Sequence, residues 1–184
     1  MIWLLFIFLI IIFLLYLFFI IFALDNLIFS HDLPTSNKAI LKVIEIIKKY
    51  NPQASNFYDL GCGRGKVVLK IKKEFPNLNV YGVDKNKFRI FISKLKSLIF
   101  RKKINFINKN IFDLDLSKAD IVYTYLWYDL MPILETKLRK ELKSGAIVIT
   151  NTSFFSNWQP KEIVNTWENI SDPNFEKLFI YQKN

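Results

Sequence analysis

The chain opens with a long unbroken run of apolar residues. Ile2–Leu24 contains no charged residue, no Gly and no Pro. A helix of this length measures about 35 Å, enough to cross a bilayer core of about 30 Å. A signal peptide would have a shorter apolar core with a basic start and a small-residue cleavage site, and this run has neither flank. We predict a membrane anchor at residues 2–24, a polar linker at 25–33 that includes the single histidine, His31, and one globular domain at 34–184.

Beyond the linker, short apolar runs alternate with helical periodicities. A helix is expected to start at Pro34-Thr35-Ser36, with Thr35 or Ser36 as its cap, and to end at Asn51-Pro52. Further strands are predicted at 57–60, 79–83, 104–108, 121–126 and 146–151, helices at 66–75, 86–100 and 132–142, and a final strand pair near 163–170 and 177–182. The alternation predicts an α/β fold, a doubly wound and mostly parallel sheet covered by helices on both faces.

The helix at 86–100 has a clear apolar stripe. Spacing of three and four residues places five apolar side chains on one side, which we expect to be the inner side: Phe88, Phe91, Ile92, Leu95 and Leu98.

The most informative motif joins the first predicted strand of the domain to the next helix. Asp59 ends the strand, and Gly61, Gly63 and Gly65 follow at alternate positions. Glycine lets a backbone turn sharply and approach a ligand closely. A dinucleotide fingerprint has the spacing Gly-x-Gly-x-x-Gly and places a pyrophosphate at the helix start. Here the preceding carboxylate favours a cationic, amine-bearing ligand instead.

Two polar residues end neighbouring strands and converge with the glycine turn by topology. Asp84 follows the second strand, where doubly wound folds place the carboxylate that binds ribose hydroxyls. Asn110 follows the third strand, where adenine would lie. The alternatives are that Asp84 caps the next helix and that Asn110 is an ordinary turn residue. Asp59, at the end of a buried strand, needs partners, which the ligand's amino group and the turn amides could supply.

Charge and cysteine content narrow the setting. The net charge is +10, and 14 basic residues lie between Arg64 and Lys109 against only Glu74 and Asp84. Attraction to an anionic leaflet, nucleic-acid binding and compositional drift would each explain this excess. One cysteine, Cys62, excludes an internal disulfide, and no cluster has metal-ligand spacing. The lysines after the anchor, which begin at Lys38, predict a single-pass membrane protein with its domain on the cytoplasmic side.

The order of these features resembles a known family. The glycine turn is similar to the first motif of class I methyltransferases, and the chain from Pro34 to about Pro160 resembles the membrane-anchored protein-lysine methyltransferases that modify the c-ring protein of ATP synthase and the adenine nucleotide translocase. The matching segments are the anchor before Pro34-Thr35-Ser36, the run Asn110–Ser117, the helix start Met131–Leu138 and the Trp-x-Pro segment Ser153–Pro160. Arg64 inside the turn and Asn110 depart from the family pattern, which tends to have acidic residues there.

The resemblance implies a Rossmann-like class I methyltransferase fold with an antiparallel last strand, behind one transmembrane helix. It also implies S-adenosylmethionine as cofactor. The residues assigned to the cofactor are Thr35, Asp59, Gly61, Cys62, Gly63, Gly65, Asp84, Lys85, Asn110 and Ile111. The implied partner is a protein with a target lysine, and membrane proteins are among the candidates.

The acceptor is expected just past the fourth strand of the domain, at Trp127, Tyr128 and Asp129. Aromatic faces there would favour an ammonium or sulfonium cation. The alternative is that Trp127 and Tyr128 pack under the next helix. The strand lacks the Asn/Asp-Pro-Pro-Tyr/Phe sequence of enzymes that methylate exocyclic or amide nitrogens, which argues against a nucleic-acid substrate. Two rival functions remain open: methylation of a lipid or lipophilic small molecule, and a non-catalytic anchored domain.

Overall fold

A computed structural model describes residues 2–28, 34–167 and 176–184. The chain divides into two compact units, Met1–Pro34 and Thr35–Asn184. In the first unit, helix α1 (Ile2–Ile28) contains a stretch, Ile2–Leu24, that is long and apolar enough to cross a membrane. The helix continues past that stretch, into residues that we predicted as linker. His31 and the end of the predicted strand at 163–170 lie outside the described residues.

The second unit contains one seven-stranded sheet. Its helices are α2 (Asn37–Tyr50), α3 (Lys66–Glu74), α4 (Lys87–Ile99) and α5 (Met131–Glu141). Its strands are β1 (Asn56–Leu60), β2 (Asn79–Asp84), β3 (Asn105–Asn108), β4 (Ile121–Thr124), β5 (Ile147–Asn151), β6 (Glu162–Asn165) and β7 (Lys177–Gln182). The strand order is β3-β2-β1-β4-β5-β7-β6, and β7 is antiparallel to both of its neighbours. The predicted doubly wound sheet with an antiparallel last strand is confirmed.

The start of α2 is defined by side-chain capping. The Ser36 hydroxyl accepts a hydrogen bond from the Ala39 amide at 3.0 Å, which satisfies one of the otherwise unpaired N–H groups of the first turn. The predicted apolar stripe is buried and includes Val43 and Ile47. Asn51, ahead of Pro52, is the C-cap.

Two apolar cores cover the two faces of the sheet. One contains residues of α2, α3 and α4, while the other contains α5. On the second face, the Trp-x-Pro segment completes the cover where a helix would otherwise follow β5. Phe155 is 3% exposed and packs against Trp158 and Tyr181, with ring centroids 5.8 and 4.8 Å away. Buried Glu135 of α5 secures this segment by accepting a hydrogen bond from the Asn157 amide.

The predicted inner side of α4 is wrong. Of its five residues only Ile92 is buried, and Phe91, Leu95 and Leu98 are exposed. The helix instead packs inward through Ile90 and the small Ser93, whose hydroxyl donates to the Gly63 carbonyl at 3.0 Å. Apolar periodicity cannot predict this rotation because a serine, not a large apolar residue, makes the closest approach to the glycine turn.

The end of α4 carries an unusual conformation. Arg101 has φ of 50°, a left-handed conformation that glycine adopts at much lower cost. The Arg101 amide donates to the Leu98 carbonyl and the Lys102 amide to the Ser97 carbonyl, so the last turn is closed by a Schellman motif. A basic side chain therefore occupies a position that backbone geometry alone would give to glycine.

Candidate active site

The turn between β1 and α3 is fixed by hydrogen bonds to the end of β2. The amides of Gly61 and Cys62 both donate to the Val83 carbonyl, at 2.9 and 3.0 Å. The Gly63 amide donates to a carboxylate oxygen of Asp84 at 2.9 Å. These amides are therefore engaged by β2, and they do not serve Asp59 as we had expected.

The glycines leave room where a ligand would approach. A Cβ on Gly61 would lie 2.8 Å from Leu126 Cδ2, so a larger residue there would displace the segment after β4. Gly63 has φ of +52°, and a Cβ built on it would meet no atom within 4 Å. The turn is thus closed towards the protein at Gly61 and open at Gly63.

Asp84 organises the end of β2 rather than capping α4. Its two carboxylate oxygens accept from the Gly63 amide and from the Asn86 amide, at 2.9 and 2.8 Å. The cap of α4 is Asn86, whose side chain accepts from the Phe88 and Arg89 amides. Asp84 is only 8% exposed, so its charge faces the turn. A carboxylate has about four lone-pair sites, so the same group can also accept from ribose hydroxyls.

The turn is acidic inside a basic domain. Burial, and next the charge of Asp84, raise the pKa of Asp59 well above its ordinary value, and no cation among the described residues contributes to it. Burial and the same two carboxylates raise the pKa of the Cys62 thiol. A buried carboxylate of this kind is stabilised by a cationic partner. S-adenosylmethionine carries an ammonium and a sulfonium, so these residues fit that cofactor.

Thr35 belongs to a buried polar network beside the turn. Its hydroxyl forms a 2.8 Å hydrogen bond with the Tyr123 hydroxyl, which also accepts from Asn151 at 3.2 Å. Asn151 donates to Glu176, and the same carboxylate accepts from the Ser36 amide. The Thr35 carbonyl accepts from Lys66 Nζ, in the first residue of α3. The network fixes the start of α2 against β4, β5 and the glycine turn.

The remaining predicted cofactor residues lie at the ends of β2 and β3. The Asn110 side chain accepts from the Phe112 amide at 3.2 Å and begins a short 3-10 helix, Ile111–Asp113, so it has the turn role that we had considered as an alternative. It is exposed, and its amide group keeps donors for a base. Ile111 is buried and Lys85 is exposed. Asn108 connects these ends by donating to the Asp84 and Lys85 carbonyls.

The predicted acceptor residues form an open edge after β4. Trp127 is 56% exposed and Tyr128 57%, so neither packs under α5. The Tyr128 ring meets Phe154 edge to face, with centroids 6.3 Å apart, and its hydroxyl donates to the Thr152 carbonyl at 3.4 Å. Asp129 is exposed in a 3-10 turn, Tyr128–Leu130. The structure thus places an aromatic surface at the carboxyl end of β4.

Sequence reasoning missed the residues of the polar network, Tyr123, Asn151 and Glu176. A hydroxyl in the apolar strand β4 was an available signal, because a buried polar group requires a partner. Glu176 gave no such signal, since its partner Ser36 lies 140 positions away.

The strand order, the glycine turn and the acidic pair Asp59–Asp84 define a class I methyltransferase that uses S-adenosylmethionine. An RNA methyltransferase from Salinibacter ruber, solved in complex with S-adenosyl-L-homocysteine, has the same fold with a TM-score of 0.71. It is 18% identical, and the match covers 82% of this chain and 93% of that one.

The sequence profile of the ANTKMT methyltransferase domain matches residues 59–162, from the acidic residue of the turn past the Trp-x-Pro segment. The chain belongs to this family. A protein-lysine N-methyltransferase of Saccharolobus islandicus is 31% identical over 134 residues, which cover 72% of this chain and 82% of that protein. A Xenopus laevis lysine N-methyltransferase that acts on the c-ring protein of ATP synthase is 25% identical over 135 residues, 71% of this chain and 58% of that protein.

The role of Asp84 predicts a loss of cofactor affinity. Asp84→Asn keeps the shape of the side chain but removes its charge and one acceptor, so the Kd for S-adenosylmethionine should rise about tenfold or more. Isothermal titration of the full chain in detergent measures this. Glu45→Gln, an exposed acid on α2, is the matched control and should leave the Kd unchanged. An unchanged Kd in Asp84→Asn would mean that the ribose assignment is wrong.

The raised pKa of Asp59 predicts proton release on cofactor binding. The folded pKa lies above the ordinary 3.8, so the cofactor-free protein gains stability from this group at low pH and loses it as pH rises through the folded pKa. A cationic cofactor favours the ionised carboxylate, so binding should release protons over that range. Titrations in buffers of different ionisation enthalpy measure the release.

Asp59→Asn should bind the cofactor more weakly, show less proton release and flatten the pH dependence of unfolding, whereas Glu45→Gln should behave as wild type. Equal proton release in Asp59→Asn and wild type would contradict the assignment of the cationic group to Asp59.

Proposed function

We propose that this methyltransferase is a protein-lysine N-methyltransferase that acts at a membrane surface. The observation that carries the proposal is the open aromatic edge, Trp127 and Tyr128, next to an acidic cofactor turn. Aromatic faces attract the ammonium of a lysine side chain, by about 0.5–1 kcal/mol at exposed sites. The relatives from Saccharolobus islandicus and Xenopus laevis, both named as lysine N-methyltransferases, support the same acceptor.

The geometry suits a reaction that depends on positioning. When bound, the cofactor supplies a methyl group that its sulfonium already activates. Gly63 gives the ligand access to the turn, and the acidic pair Asp59–Asp84 retains its cationic and hydroxyl groups. Trp127 and Tyr128 orient the lysine side chain and shield it from water on one side. The lysine ammonium has to lose a proton before it reacts, and water at this exposed edge can accept it, so no dedicated base is required.

The edge is stiffened by its neighbours. Ser153 donates to the Leu126 carbonyl at 2.7 Å, and Tyr128 donates to the Thr152 carbonyl. Phe154, on the same side, lies against both Tyr128 and Phe179. A substrate lysine would therefore meet an aromatic surface that is already in place before binding, which lowers the entropic cost of orienting it.

The membrane address is part of the proposal. The stretch Ile2–Leu24 has a mean hydropathy of 3.5 and is long enough to span a bilayer. A single span would confine the enzyme to targets at one surface, among them membrane proteins. The lysines that follow the span, beginning with Lys38, favour the cytoplasmic side for the domain.

The lysine acceptor is tested by labelling. Membranes that contain the full chain, incubated with tritiated-methyl S-adenosylmethionine, should show label in a protein band, and acid hydrolysis should recover it as methyllysine. Trp127→Leu should lower kcat/KM for the protein substrate about tenfold, with the cofactor Kd unchanged, because it removes cation binding only. Ile133→Ala, an exposed change on α5, is the control and should have no effect.

Label in the lipid extract instead of a protein band would replace lysine by a lipid acceptor. Cofactor binding without transfer to any fraction would favour the non-catalytic domain.

The orientation is tested by protease protection. A tag at the C-terminus should be digested when protease reaches the cytoplasmic face of sealed vesicles, because the domain follows the span on that side. Vesicles of the opposite orientation provide the control, in which the tag should survive. A tag sealed from the cytoplasmic face would reverse the proposed topology.

A further inference from the structure

We propose that the outer face of α4 is a docking surface for an anionic lipid bilayer, a second membrane contact in addition to α1. We call it the α4 docking face and define it by Phe91, Leu95, Leu98, Ile99 and Phe100. The inference rests on the proposed membrane address but not on lysine as the acceptor.

The face is a continuous apolar surface on one side of the helix. Phe91, Leu95 and Leu98 are spaced four and three residues apart, so their side chains are neighbours. Leu98 is 74% exposed, Ile99 65% and Phe100 60%. Single exposed apolar residues need no explanation, but five that are clustered along one short helix indicate a surface that becomes covered.

Cations surround the apolar centre. Lys87 and Lys94 lie on α4 beside Phe91 and Leu98, and Arg101 and Lys103 follow the helix; all four are exposed. They belong to the segment in which 14 basic residues stand against two acidic ones. An apolar face with a basic rim is the pattern of helices that lie in the plane of a membrane interface, where anionic headgroups attract the rim and acyl chains receive the centre.

Charge distinguishes the bilayer from other occupants. In a symmetric dimer each copy would present the same patch, so the two basic rims would face each other and repel. A nucleic acid would neutralise the rim but would leave the apolar centre in contact with phosphate and water. An anionic bilayer satisfies both parts.

The conformation of Arg101 supports a role for this rim. Its φ of 50° costs free energy that a glycine would avoid, and its position in the Schellman motif does not require a side chain. The strain therefore places a cation next to Phe100, at the end of the docking face.

The inner side of α4 is already engaged, which leaves only the outer face for a partner. Ser93 donates to the Gly63 carbonyl, and Lys96 Nζ donates to the Arg64 carbonyl at 3.2 Å. Docking of the outer face would therefore place the cofactor turn at a fixed distance from the lipid headgroups.

The test uses the full chain reconstituted in vesicles, with an environment-sensitive fluorophore at Leu98→Cys. Cys62, the single native cysteine, is 7% exposed, and labelled wild type measures its background. In phosphatidylcholine vesicles that contain phosphatidylglycerol, emission should shift to shorter wavelength and be quenched by brominated lipid. The shift should be absent in pure phosphatidylcholine and should weaken at high salt. Ile133→Cys on α5, with similar exposure, is the matched control and should not respond.

The rim is tested in the same assay. Lys94→Ser, Arg101→Gly and Lys103→Ser should each lower the ratio of docked to undocked label by about fivefold in anionic vesicles. Arg101→Gly is the most informative variant because it also relieves the positive φ, so loss of docking cannot be attributed to misfolding.

Vesicle flotation reports separately whether α1 holds the chain in the membrane, so failure of the anchor is distinguished from failure of the docking face. A label at Leu98 that stays water-exposed in anionic vesicles, or that matches the Ile133 label, would overturn the proposal. Energy transfer between labelled copies that persists in detergent would assign the face to self-association instead. A shift induced by RNA in neutral vesicles would assign it to nucleic acid.

Discussion

A single carbonyl, that of Val83, accepts hydrogen bonds from both Gly61 and Cys62 and thereby brings the turn after β1 against the end of β2. Everything in the site depends on this contact. It places the Gly63 amide within reach of Asp84, and it brings the carboxylates of Asp59 and Asp84 close enough for the charge of Asp84 to raise the pKa of Asp59. A residue with a Cβ in place of Gly61 would meet Leu126 and separate the turn from the segment after β4.

The charge distribution divides the domain into an acidic interior site and a basic exterior. A net charge of +10 would by itself favour anionic ligands, yet the glycine turn contains carboxylates and no cation that offsets the burial of Asp59 among the described residues. The turn therefore selects a cation locally, over a few ångströms, while the surface attracts anions over the Debye length. The same division explains why a pyrophosphate cofactor does not suit this turn despite its glycines.

The elements that sequence patterns predicted well are those fixed by local chemistry. Strand alternation predicted the sheet, Ser36 the start of α2, and the glycine spacing the turn, because each depends on neighbouring residues. The rotation of α4 and the partners of Glu176 depend on contacts between distant segments, so no local pattern contained them. Asn110 shows the limit for a site residue: its position at the end of β3 was predictable, but its bond to the Phe112 amide depends on the 3-10 turn that follows.

The incorrect prediction for α4 has a physical explanation that connects the helix to the site. The apolar stripe is present in the sequence, and a soluble domain would bury it. The sheet instead takes Ile90 and Ser93, because only a small polar residue fits against the Gly63 carbonyl and completes its hydrogen bonding. Supporting the glycine turn therefore forces the larger apolar side chains outward, where they would be costly in water. A bilayer next to the domain removes that cost, so the requirements of the cofactor turn and of a membrane address are met by the two sides of one helix.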